Sequence, residues 1–194
     1  MLKQLSVSLF IVAGLAASPA IAKKNSNQSF GTNVKNNNIL PEEVKAAQEA
    51  WGRALVQISQ DFEKGGVQKA TETANAVLDA AYGYGEGPVL FKPTLTTGEQ
   101  TFRTTRDGAL AYFVGGNSKF PSDTGFALKG WSKFDYKNAA VYINGDMAMT
   151  MGNVYLTDKK GNVTVVDKTW AFKKSPQGLL KIVLHHSSLP YSPK

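Results

Sequence analysis

The chain has 194 residues, 42% apolar and 19% charged, with a formal net charge of +7 and no cysteine. The missing thiol excludes a disulfide framework, thiolate metal sites, cysteine catalysis and a lipid-modified N-terminal cysteine. The lysines are scattered rather than grouped, which predicts a generally basic surface and no nucleic-acid site.

Residues 1–22 read as a secretory signal peptide. Lys3 supplies the positive end, "LSVSLFIVAGLAA" is too short to span a bilayer, and "AIA" at Ala20–Ala22 fits the small-x-small cleavage pattern. Cleavage after Ala22 leaves about 172 residues with a charge of +6, enough for one domain with a sizeable core. The expected destination is the periplasm or medium, with no membrane association once the signal is cut. Residues 23–40 are polar and Asn-rich and predict a flexible arm, followed by a single domain over 41–190 and a tail at 191–194.

Pro41, Glu42 and Glu43 suit a first helical turn. Val44, Ala47, Trp51, Leu55, Ile58 and Phe62 then recur every three or four residues, up to a stop at Gly65–Gly66. A second helix is predicted over about 67–82, its stripe built of small residues that permit close packing. "YGYGEGP" (82–88) breaks it, "VLFKPT" (89–94) is a short strand near an edge, and 106–116 predicts a short helix. Period-two alternation follows, with strands at about 124–135, 138–144, 146–157, 163–174 and 179–188. The class is therefore α+β, with N-terminal helices packed on a strongly curved antiparallel sheet. Within "MAMTMGNVYL" (147–156) both faces are partly apolar. The helices can cover one, and the face carrying Met147, Met149, Met151 and Tyr155 predicts a homodimer through the sheet.

This order of elements, ending in "LLKIVLHHSSLP", resembles the nuclear transport factor 2-like superfamily, which includes ketosteroid isomerases and SnoaL-like polyketide cyclases. The last strand is similar to that of the calcium/calmodulin-dependent protein kinase II association domain. "WAFK" from Trp170 and "VLFKPT" are similar to its secreted bacterial relatives. The resemblance implies a cystatin-like cone with a ligand-sized cavity and sheet-mediated assembly. It puts His186 on the family histidine and Ser188 on the family serine. Where ketosteroid isomerases carry an aspartate base after the second helix, this chain has Lys92, which argues against that proton abstraction.

His185 and His186 are adjacent on a strand and point to opposite faces, so they cannot share a metal ion. Strict alternation places His186 with Ile182, Leu184 and Ser188 toward the helices, and His185 with Lys181 toward water. The same rule turns Lys92 inward with Leu90. No nucleophile elbow is present, and "GYGEGP" stands in the wrong order for a phosphate loop. The expected ligand-binding set is Trp51, Lys92, Arg103, Trp131, Tyr155 and His186, around a small anionic or aromatic molecule, with no metal and no cofactor. The leading expectation is an exported, dimeric small-molecule-binding domain without clear catalytic equipment. The alternatives are a hydrolase, cyclase or isomerase using His186 as its acid–base group, and an assembly module whose cavity is filled by its own side chains.

Overall fold

The computed structural model describes residues 37–193. The signal-peptide assignment and most of the polar arm lie outside the described residues. Helix α1 (Pro41–Ala81) opens with Pro41 in its first turn and Glu43 Oε2 accepting from Leu40 N at 2.8 Å, which satisfies a backbone donor ahead of the helix. The expected stop at Gly65–Gly66 is a break inside α1. Gly66 takes φ 68°, a conformation that favours glycine, and the second arm folds back along the first. Thr73 Oγ1 of the returning arm donates to Asp61 Oδ2 at 2.7 Å, and Trp51 and Leu78, from opposite arms, line the same small cavity.

Strand β1 (Leu90–Lys92) and helix α2 (Arg106–Val114) follow, α2 capped by Thr105 Oγ1 accepting from Gly108 N at 3.2 Å. The strand expected at 124–135 forms only from Trp131 onward. Phe126–Leu128 is instead a 3₁₀ turn, flanked by Gly125 (φ 85°) and Gly130 (φ 75°), backbone positions that no extended strand provides. Strands β2 (Trp131–Asn144), β3 (Met147–Asp158), β4 (Val163–Lys174) and β5 (Leu180–Ser188) complete a five-stranded sheet in the order β1-β5-β4-β3-β2. All neighbours are antiparallel except β1 and β5.

The sheet curls around α1 and α2, the expected α+β arrangement. Its inner face carries Ala148, Thr150, Val154 and Leu156 of β3, then Val166, Lys168, Trp170 and Phe172 of β4, all buried. Gly52 lets α1 approach β2 closely, since a Cβ there would sit 2.0 Å from the Phe134 ring. Met149 and Met151 lie on the outer face, 45% and 61% exposed, so the methionine stripe does face away from the helices.

Three register shifts break the alternation. Ser132 and Ala139 of β2 have no pairing partner in β3, and Val183 of β5 has none in β4: Ala171 pairs with Leu184, but Phe172 pairs with Ile182. An extra residue in one strand reverses which side chains face inward beyond it. In β5 this turns both Ile182 and His185 inward and leaves His186 outside. The expected orientation of the two histidines is thereby reversed.

Candidate active site

The site is assembled around His185. The bulge brings it to the inner face beside β1 and β4, where it is 1% exposed. Phe91 stacks on the imidazole with centroids 4.5 Å apart, and Trp51 meets it edge-on at 5.4 Å. Tyr82, at the end of α1, reaches His185 Nδ1 at 2.9 Å through its hydroxyl. The second ring nitrogen, Nε2, lies 2.7 Å from Lys168 Nζ and 3.1 Å from Ser187 Oγ, while Nζ and Oγ are 2.6 Å apart. Lys168, His185 and Ser187 thus close a triangle of polar atoms inside an aromatic wall.

Donor and acceptor counting gives one proton arrangement in which every member of the chain is satisfied. The Trp51 indole can only donate, and Nε1 gives its hydrogen to Tyr82 Oη at 2.9 Å. The Tyr82 hydroxyl hydrogen then goes to His185 Nδ1, so the neutral imidazole carries its own hydrogen on Nε2. A Lys168 ammonium would place donor against donor at 2.7 Å; a neutral amine offers Nε2–H a lone pair. No acidic side chain pairs with Lys168 among the described residues. Burial acts in the same direction, holding the lysine well below its usual basic range. Burial, then Lys168 and His186 nearby, push His185 down as well, and burial raises the Tyr82 phenol.

The triangle can be traversed in two directions. In one, Nε2–H donates to Nζ and Nζ to Oγ, leaving the Ser187 hydrogen unspent. In the other, Nε2–H donates to Oγ and the Ser187 hydroxyl to the Nζ lone pair. β1 ends at Lys92, paired with His186, and Pro93 and Thr94 follow it directly into a turn. The buried Tyr112 hydroxyl lies beside the Thr94 side chain and the Thr94 and Leu95 backbone, without a well-formed hydrogen bond to any of them. Phe91 links the two places, since its ring also meets Tyr112 at 5.7 Å.

Of the expected ligand-binding residues, only Trp51 reaches this cluster. Lys92 does not point inward: Phe91 takes that side, and Lys92 Nζ donates to Ser187 O at 2.9 Å from the outer face. Lys92 and His186 do come together there, lining a recess of about 280 Å³ with Leu90, Phe102 and Leu184. Arg103 is no rim charge, because its guanidinium is buried against Asp123 at 3.0 Å. Trp131 is a core residue donating to Phe126 O at 2.8 Å, and Tyr155 stands on the outer face with the methionines. An apolar groove of about 250 Å³ opens between the arms of α1 and the sheet, with Trp51, Phe172 and Ile182 among its walls. Sequence reasoning missed His185, Tyr82, Lys168, Ser187, Thr94 and Tyr112. One signal was available: Lys168 shares its alternation with Val166 and Trp170, an amine on an apolar stripe.

Among the described residues no group of three His, Asp or Glu side chains could hold a metal ion. Comparison with known proteins agrees with that donor set. Residues 42–189 match the family model described as metal-independent carbonic anhydrase. A metal-independent carbonic anhydrase of Nostoc sp. is 53% identical over 181 residues, 93% of this chain and 88% of the relative. The crystal structure of a cyanobacterial iota-carbonic anhydrase complexed with bicarbonate superposes with a TM-score of 0.82 at 56% identity, covering 84% of this chain and 99% of that one. A ketosteroid isomerase-like structure from Parabacteroides distasonis, 17% identical with a TM-score of 0.50, covers 81% of this chain and 93% of its own and shares the cone fold alone. The expectation of a binding domain without catalytic equipment is corrected by these matches. On a cone shared with an isomerase-like structure, the match over nearly the whole domain decides the assignment: the chain belongs to the metal-independent carbonic anhydrase family.

Proposed function

We propose that this protein interconverts carbon dioxide and bicarbonate without a metal ion. The observation that carries the reading is the buried chain Trp51–Tyr82–His185–Lys168–Ser187, in a member of that family. Hydration joins a water oxygen to the carbon of CO2, releases one proton and builds negative charge on the carboxylate oxygens. The site must therefore orient water, accept a proton and donate hydrogen bonds to those oxygens. Ser187 has an unspent hydrogen in one direction of the triangle, and the Tyr112 hydroxyl, beside Thr94 and Leu95, makes no well-formed hydrogen bond that a bicarbonate oxygen would have to displace. Hydroxyls suit bicarbonate because they donate to its oxygens and accept from its own O–H.

Stopped-flow CO2 hydration after exhaustive chelation tests this. Catalysis should persist, and Ser187→Ala and Tyr112→Phe should each lower kcat by roughly 10²–10³, the usual cost of losing a transition-state donor. A chelated wild type no faster than buffer, or variants as fast as wild type, would refute the reading.

Export and self-association belong to the same proposal. The pattern of residues 1–22 supports export; protein from its host should begin at Lys23, and a retained Met1 would refute it. The exposed Met149, Met151, Val141 and Tyr142 support a second copy of this chain on the outer face of the sheet.

A further inference from the structure

We propose that Lys168 takes the proton released by the attacking water, with Ser187 as the relay between them. The proposal rests on the CO2 hydration reading above.

His185 is the obvious proton acceptor, yet it has no free lone pair in the proton arrangement that satisfies the chain. There Nδ1 accepts from the Tyr82 hydroxyl, 2.9 Å away, and Nε2 bears the hydrogen. The one basic lone pair left in the chain is on Lys168 Nζ, 2.6 Å from Ser187 Oγ. His185 instead positions it. By donating from Nε2, the imidazole keeps the amine neutral when it points at Nζ, and frees the Nζ lone pair for Ser187 when it points at Oγ.

The step then balances. A lone pair of the water oxygen forms the new C–O bond, and one C=O π pair moves onto oxygen. A water O–H breaks toward Ser187 Oγ as the Ser187 hydrogen passes to Nζ. Water, CO2 and an amine become bicarbonate and an ammonium, with Ser187 restored.

The surroundings suit a proton held briefly. The faces of Trp51 and Trp170, 4.5 and 5.4 Å from Nζ, stabilise a cation. No carboxylate traps it, so the ammonium loses its only anionic neighbour when bicarbonate leaves and returns its proton to solvent. Other groups on the inner face are neutral or already committed. From α1 they are Gln48, bonded to Asn138 and Thr150, and Tyr82, bonded to His185. From α2, Tyr112 is a neutral phenol whose ionisation burial opposes. Asp167, His186 and Lys92 lie across the sheet on its outer face.

Two variants and two readouts test the proposal. Lys168→Met keeps the volume and removes the lone pair; Lys168→Arg replaces the neutral amine with a permanent cation that cannot accept a proton. Both should fold, by thermal melt and circular dichroism, and both should lose kcat by 10²–10⁴-fold, the range of general-base catalysis. Calorimetry of bicarbonate binding in buffers of different ionisation enthalpy should show proton uptake by the wild type and none by Lys168→Met. The proposal is overturned by a folded Lys168→Met variant within threefold of wild-type kcat, or by uptake that is absent in wild type or unchanged in Lys168→Met. An inactive wild type overturns the parent reading as well; an active wild type beside an active variant overturns this one alone.

Discussion

Replacing Tyr82 with phenylalanine removes one oxygen from the core and tests the proton assignment directly. The ring keeps its packing against Tyr84, Phe91 and Phe113. What is lost is two hydrogen bonds of 2.9 Å, to Trp51 Nε1 and His185 Nδ1, both buried. Each stranded polar atom costs about 1–3 kcal/mol, so Tyr82→Phe should destabilise the fold by about 2–6 kcal/mol. For a domain of this size that corresponds to a fall in Tm of about 4–24 °C. Catalysis should suffer separately. With Nδ1 released from its donor, the imidazole hydrogen can move there, and a bare Nε2 then competes for the Lys168 and Ser187 hydrogens. Denaturant titration gives the first quantity and stopped-flow hydration at 10 °C, where the variant remains folded, gives the second. Tyr84→Phe is the control, since its hydroxyl donates only to Arg103 O at 2.9 Å and its loss should cost about 1 kcal/mol. A Tyr82→Phe variant within 0.5 kcal/mol of wild type in stability, or equal to it in kcat, would refute the relay.

Stability should also depend on pH in a stated direction. The pKa values of both His185 and Lys168 are depressed in the folded chain, which therefore binds fewer protons than the unfolded chain. Tm should fall as pH drops below the ordinary histidine value of 6.5, rise from neutral toward the ordinary lysine value of 10.5, and lose the alkaline rise in Lys168→Met. Gly52→Ala should cost about 1–3 kcal/mol by denaturant titration, because its Cβ would overlap Phe134 at 2.0 Å. Met151→Glu should convert a dimer to a monomer by light scattering at micromolar concentration; a wild-type monomer there would remove the outer face as an interface.

Local patterns made the scaffold readable. The apolar period of α1, the paired glycines at 65–66 and the alternation of β3 are all short-range signals, and each corresponds to an observed element. The site depends on information that is not local. Tyr82 and His185 are 103 residues apart, and nothing near either names the other. The bulge at Val183 is set by how β5 must bend to lie between β1 and β4, and one unpaired residue is enough to turn every later side chain over. Lys92 was misplaced for a related reason: in a three-residue strand parallel to β5, pairing decides the inward side, and Phe91 follows His185. The activity was beyond reach by fold alone, because the cone accommodates many chemistries and only close relatives separate them.

The bulge at Val183 gives the doubled "HHSS" a second meaning. With the bulge, His185 and Ser187 face inward; with β5 straightened, strict alternation from Ile182 would present His186 and Ser188 instead. Either frame delivers a histidine and a serine two residues apart at the same wall. The doubling therefore leaves the composition of the inner wall, one histidine and one serine, insensitive to whether Val183 is bulged, and the bulge decides only which copy stands there.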